Sequence, residues 1–183
     1  MAIRFRIRGL ETAVLVVVLA PTTAAASQIT RLDVLLQDGV GVPGQISLEA
    51  RAQTLRVFRQ AGVLVTWLDP ASDGWRKLRF YTVRLRTAAG APTIRSLGFA
   101  APGTRIATVV YSRVEQTARD GGGRTGVLLG HAIAHELGHL LLGDTQHSAA
   151  GLMRADLDVR LAEQGRLLFT EEQAQTIRAR LGR

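Results

Sequence analysis

Residues 131–153, HAIAHELGHLLLGDTQHSAAGLM, hold all four histidines of a 183-residue chain. They stand at positions 131, 135, 139 and 147, with Glu136 among them. His135, Glu136 and His139 form the pattern HExxH. On an α-helix, residues four apart lie about 40° apart around the axis and about 6 Å apart along it. Both imidazoles therefore leave one face of a helix and converge on a single ion. Zinc binds imidazole nitrogen at about 2.0–2.1 Å, which suits two ligands at this spacing. Glu136 is rotated by roughly 100° from His135. That places it beside a water on the metal rather than on the metal itself, the position of a general base in metal-assisted hydrolysis.

Working outward, Leu129, Ile133, Leu137, Leu140 and Leu141 make the helix apolar on its remaining sides, the mark of a buried helix over roughly 125–142. Buried imidazoles and a buried carboxylate require a metal or a hydrogen-bond network. His131 lies one turn before His135 but about 12 Å along the axis from His139, too far for one ion to use all three. It reads as a cleft-lining or packing residue. A catalytic zinc takes a third protein ligand and leaves a position for water. Gly143 is a natural helix stop, after which the chain can return beneath the ion. His147 is the leading candidate for that third ligand, with Asp144, Glu163 and Glu171 as alternatives.

HELGHLLLGDTQHS…GLM resembles the metzincin zinc metalloproteases, and among them the matrixins, whose pattern is HExxHxxGxxH followed by a methionine-bearing turn. His135, Glu136 and His139 match directly. Gly143 stands one residue late and His147 two residues late, so the motif is expanded to HExxHxxxGxxxH. His147-Ser148 is similar to the matrixin His-Ser pair, and Met153 to the Met-turn methionine, whose implied role is packing under the metal. Arg154 follows, where several relatives carry tyrosine. The resemblance implies a Zn2+ cofactor held by His135, His139 and His147, with Glu136 as catalytic base. It also implies a zincin-like fold, peptide or protein substrates, and SLGFA (96–100) at the substrate-side edge.

The N-terminus has the order of a secretory signal peptide: Arg4, Arg6 and Arg8, an apolar run from Ala13 to Ala20, Pro21, then small residues to Ala26. The apolar run is 8 residues long, well short of the roughly 20 that span a bilayer. Cleavage near Ala26 would leave residues 27–183 as the catalytic domain, secreted or periplasmic, without stable membrane association. That removal takes three arginines and one glutamate, lowering the net charge from +8 to +6. The arginines are scattered and not interleaved with aromatics, so no nucleic-acid surface is read from them. The chain has no cysteine, which excludes thiolate ligands, a cysteine nucleophile and a cysteine-based latency device. Its length supports a core without disulfides.

Along the remaining chain, 29–38 reads as a strand, 47–62 as a helix capped by Ser47, and 63–69 and 78–87 as strands. The apolar stripe of that helix is read as Leu48, Ala52, Leu55, Val57 and Phe58. An extended piece with a turn covers 96–103, a strand 105–114 and a loop 119–124. An irregular segment follows the histidine helix, and a last helix over 169–182 opens with a capping box between Thr170 and Gln173. The expected fold class is α/β (α+β), a mixed twisted sheet with an N-terminal helix, an active-site helix and a C-terminal helix. The expected activity is zinc-dependent peptide-bond hydrolysis. Two other readings differ in kind: a metal- or peptide-binding module without turnover, and a structural domain with a histidine-rich core.

Overall fold

The structure, a computed structural model, describes residues 30–72, 74, 79–89 and 96–182. The signal-like segment 1–26 lies outside them. Ten elements follow one another among the described residues: β1 (Thr30–Asp38), α1 (Gly44–Gln60), β2 (Val63–Leu68), β3 (Tyr81–Arg86), β4 (Gly98–Ala100), β5 (Ile106–Val110), α2 (Tyr111–Asp120), α3 (Thr125–Leu142), α4 (Val159–Glu163) and α5 (Glu171–Leu181).

The strands form one sheet in the order β2-β1-β3-β5-β4. β1 pairs in parallel with β2 and β3, β3 in parallel with β5, and only β4 runs antiparallel, at the edge. Two-residue periodicity sorts each strand into a core row and an outer row. In β1, Leu32, Val34 and Leu36 enter the core, while Arg31 and Gln37 are exposed. The register continues the core row across the sheet: Leu32 opposite Val65, Leu36 opposite Val83, Val83 opposite Ala107, and Leu85 opposite Val109. Parallel strands need a crossover, and α1 supplies the one between β1 and β2. The mixed sheet with packed helices is the expected α/β class.

α3 is the central helix. It contacts α1, α2, α4 and α5 as well as β3, β4 and β5, and every residue from Gly126 to Leu141 is buried. Its glycines allow this closeness. A Cβ placed on Gly130 would lie 2.6 Å from the Ala50 carbonyl oxygen and 2.6 Å from Gln53 Cβ on α1. The Thr54 hydroxyl crosses the same contact, donating to the Ala50 and Gly130 carbonyls at 2.9 and 3.1 Å.

Several local expectations are corrected. α1 begins at Gly44, after Pro43, not at Ser47. The proline's φ of −51° already suits a helix, and Ser47 N–H bonds the Pro43 carbonyl from within the first turn. The buried face of α1 is Ala50, Gln53, Thr54, Val57 and Phe58; Leu48 is 64% exposed and Ala52 is exposed. The small and polar side chains of that face match the glycine face of α3, which apolarity alone does not reveal. The strand expected over 105–114 stops at Val110, and Tyr111 opens helix α2. Its Val114 and Ala118, four apart, are the buried pair. The tail of that strand contains residues of high β-propensity, and tertiary packing overrides it. The segment after α3 also contains a short helix, α4, with Asp158 accepting the Leu161 N–H as its cap. Other expectations hold. α3 spans Thr125–Leu142, and α5 carries both bonds of the Thr170–Gln173 capping box.

Gly130→Ala adds one methyl against a backbone oxygen that cannot swing away. Although alanine is the better helix former by about 1 kcal/mol, overpacking of about 1–3 kcal/mol should win. Thermal unfolding should therefore show a lower melting temperature for Gly130→Ala than for the native chain.

Candidate metal centre

α3 carries His135 and His139 on successive turns, both buried. Gly143 ends the helix in the left-handed conformation, φ 71°, and its N–H bonds the His139 carbonyl at 2.9 Å. Glycine adopts that conformation without a Cβ penalty. Asp144 then folds the chain, its carboxylate accepting the Gln146 N–H at 2.6 Å. This turn absorbs the two extra residues of the motif and returns His147 to the α3 face. The ring centroids of His135, His139 and His147 are 4.7 to 5.3 Å apart. One ligand atom from each lies within 4.8 Å of the other two.

The two helix imidazoles are held in a defined protonation state. His135 Nδ1–H donates to the Leu152 carbonyl at 2.8 Å, and His139 Nδ1–H to the Asp144 carbonyl at 3.0 Å. Burial, as the largest cause, lowers both rings' affinity for a second proton, to about 4 for His135. Each Nε2 is therefore a bare lone pair, and the two face each other at 3.0 Å. Neutral acceptors at that distance repel unless a cation lies between them. Two nitrogens on one tetrahedral zinc are about 3.3 Å apart, so the donors, their spacing and their tautomers fit that ion. The three-histidine cluster is compatible with zinc.

The other expected candidates are engaged elsewhere. The Asp144 carboxylate is spent on its own turn, although its carbonyl orients His139. Glu163 binds Arg124 through the backbone N–H at 2.6 Å and the guanidinium at 3.0 Å. Glu171 pairs with Arg178 at 3.0 Å and Gln175 at 3.1 Å. His131 is fully buried away from the cluster. Its Nδ1–H donates to Val127 O at 2.9 Å and its Nε2 lies 3.3 Å from the Gln53 amide.

Met153 is buried, and its sulfur lies against Gly138, where a Cβ would sit 2.5 Å from Sδ. The turn before it is tied on both sides. Ser148 N–H bonds the Met153 carbonyl at 2.8 Å, and Leu152 N–H bonds the Leu168 carbonyl at 2.7 Å.

Glu136 lines a cleft of about 490 Å³ floored by α3, together with His135 and His139. Ser96 to Ala100 form one wall and Ala155 to Leu157 the other, with Thr145 and His147 at the rim. The carboxylate is buried, and Oε2 has no hydrogen-bond partner. Burial raises its pKa to about 8. Gly98 in β4 makes room for it: a Cβ there would lie 2.7 Å from Glu136 Oε1 and 2.8 Å from its Cγ. Sequence patterning did not single out Gly98, Gly138 or the two orienting carbonyls. The glycines are legible only as an interruption of apolar runs, and backbone oxygens leave no sequence signal.

No family model matches the chain, and no curated protein matches it in sequence. Its fold does match solved structures. A zinc-dependent peptidase from Methanocorpusculum labreanum aligns with a TM-score of 0.55 at 14% identity, over 79% of this chain and 99% of that one. Archaemetzincin from Methanopyrus kandleri aligns with a TM-score of 0.57 at 14% identity, over 86% of this chain and 99% of that one. At this identity the likeness is one of fold, the mixed sheet and helices of the zincin type.

Two outcomes follow from this geometry. Elemental analysis of the purified protein should give about one zinc per chain, with affinity sharply reduced by His139→Ala and His147→Ala. Undiminished binding by His147→Ala would move the third ligand elsewhere. The second outcome concerns the metal-free chain. There the unfolded state loses the Glu136 proton near pH 4.5 and the folded state near pH 8. The stability contributed by the protonated form is thus whole below about pH 4.5 and is lost as the pH rises to about 8. The melting-temperature advantage of Glu136→Gln over the native metal-free chain should widen across that range, and a constant gap would show an unshifted carboxyl.

Proposed function

We propose that this chain is an exported zinc-dependent metalloendopeptidase of metzincin type, with residues 27–183 as its catalytic domain. His135, His139 and His147 are the zinc ligands, and Glu136 is the general base. One observation carries the reading: a buried carboxylate with an unpartnered oxygen opens on the same cleft as three convergent imidazoles. Retaining such a group is costly for stability alone, and perturbed acids in clefts are characteristic of catalysis. The peptidases among structures of this fold support peptides as the substrate class.

Zinc held by His135, His139 and His147 would supply Lewis acidity toward a peptide carbonyl and a water. Glu136 accepts the proton of the attacking water on its carboxylate and returns it to the nitrogen of the leaving amine. Burial raises its pKa in the metal-free chain, which favours the protonated form it takes between the two transfers. The neighbouring edge strand positions the peptide. Val110 N–H bonds the Leu97 carbonyl and Phe99 stands opposite Thr108. By the alternation of an antiparallel ladder, Gly98 and Ala100 then direct their backbone groups away from β5. An extended peptide pairs with those groups.

The finer matrixin-like features belong to the same proposal. The turn at Met153 acts as the floor of the site: Leu152 orients His135 and the methionine packs on Gly138. Residues 1–26 act as a cleaved leader, delivering the domain to the periplasm or the exterior. Among the described residues no helix is long and apolar enough to cross a membrane.

Cleavage of an unstructured protein by the zinc-loaded chain should fall about 10²- to 10⁴-fold in Glu136→Gln, the usual weight of a general base, with zinc content unchanged. Equal turnover by both would sink the peptidase reading. Peptide retention without turnover in either would leave a binding module on this scaffold.

A further inference from the structure

The three imidazoles differ in how they are held. His135 and His139 are fixed by the buried helix, whereas Gly143 to His147 are all exposed. A cavity of about 330 Å³ undercuts this loop, lined by Leu142, Asp144, Gln146 and His147 on one side and by Glu172, Gln173 and Thr176 of α5 on the other. The His147 ring rests against those of His135 and His139 at 5.3 and 5.1 Å, but the exposed loop that carries it is held by hydrogen bonds.

One such chain crosses the end of the cavity. Gln173 Nε2 donates to Ser148 Oγ at 3.1 Å. The Ser148 hydroxyl donates to the Ala150 carbonyl at 2.6 Å, and its N–H to the Met153 carbonyl at 2.8 Å. Gln173 is itself immobilised, because its Oε1 accepts the Thr170 N–H at 2.9 Å in the α5 capping box. The same amide thus starts the last helix with its oxygen and grips the residue after His147 with its nitrogen.

We infer that Gln173 and Ser148 form a latch that positions His147 for metal binding, so that α5 completes a centre otherwise built from α3 and its following turn. The inference rests on His147 being a ligand, as proposed above. Gln173 and Ser148 are positioning residues, acting through the loop backbone rather than on the metal. The latch also accounts for the tolerance of the longer motif. Two additional residues loosen the tether between Gly143 and His147, and a second anchor on the far side of the histidine compensates.

The latch and the helix cap are separable. Gln173→Glu keeps an acceptor for the Thr170 N–H, since glutamate is equally suited to that capping position. It removes the N–H that grips Ser148, so the contact persists only where the Ser148 hydroxyl leaves the Ala150 carbonyl to donate to the new carboxylate. Ser148→Ala removes the other end and leaves the capping box intact. Zinc affinity should be measured by competition with a chromophoric chelator for the native chain, both single variants and the double variant. Partners that orient metal ligands typically change affinity 10- to 100-fold. Each single variant should raise the zinc Kd by about tenfold, and the double variant should add little more, because both substitutions break the same bond. In the metal-free chain, amide hydrogen exchange over Gln146 to Ser148 should quicken in both variants while α5 stays protected.

Unchanged Kd and unchanged exchange in both variants would overturn the latch, as would effects that multiply in the double variant. The failure of the parent reading looks different. A native chain that binds no zinc, or whose binding ignores His147→Ala, removes the ligand role of His147 and the inference with it. Zinc binding that needs His147 but not Gln173 or Ser148 removes the latch alone.

Discussion

Two neutral imidazole nitrogens facing each other at 3.0 Å are the constraint around which this protein is arranged. Each has given its only proton to a backbone carbonyl on its far side, Leu152 for His135 and Asp144 for His139. Neither can donate to the other, and burial opposes a second proton on either ring. The pair is left as a preorganised chelate. The segments after α3 follow from this need, since both orienting carbonyls lie in them. The turn at Gly143 must present the Asp144 carbonyl, and the turn ending at Met153 must present that of Leu152.

Holding that pair still requires a rigid platform, which the burial of α3 on all sides provides. The cost is a helix with glycines at 126, 130 and 138, each less favourable than alanine by about 1 kcal/mol in isolation. Close approach of α1 at Gly130 and of Met153 and Phe169 at Gly138 offsets it. The same logic holds on the cleft side. Gly98 lets the edge strand close over Glu136, which buries the carboxylate and raises its pKa. A carboxyl buried in this way weakens the metal-free fold as it ionises.

The centre is asymmetric in its mechanics. Two of the clustered histidines are core residues and the third is exposed on a loop above a cavity. The likeness in fold to zinc-dependent peptidases at 14% identity accords with a framework defined by sheet order and helix placement.

Much of this was legible in the sequence because its signals are local. HExxH marks a helix face through the 3.6-residue period alone. Gly143 marks the helix end, and Thr170 with Gln173 marks the start of the last helix, since capping is chemistry between residues three apart. The alternating strands around Leu32, Val34 and Leu36 were legible for the same reason. Tertiary structure decided what depends on distant partners. The buried face of α1 follows the glycines of α3 rather than its own apolarity, so Leu48 lies outside and Gln53 inside. Val110 ends its strand because Tyr111, Val114 and Ala118 pack as a helix. His147 joins the histidine cluster, while the Asp144, Glu163 and Glu171 carboxylates meet nearer donors. The raised pKa of Glu136 belongs to the same class: it arises from desolvation by an edge strand some forty residues away, which no local pattern encodes.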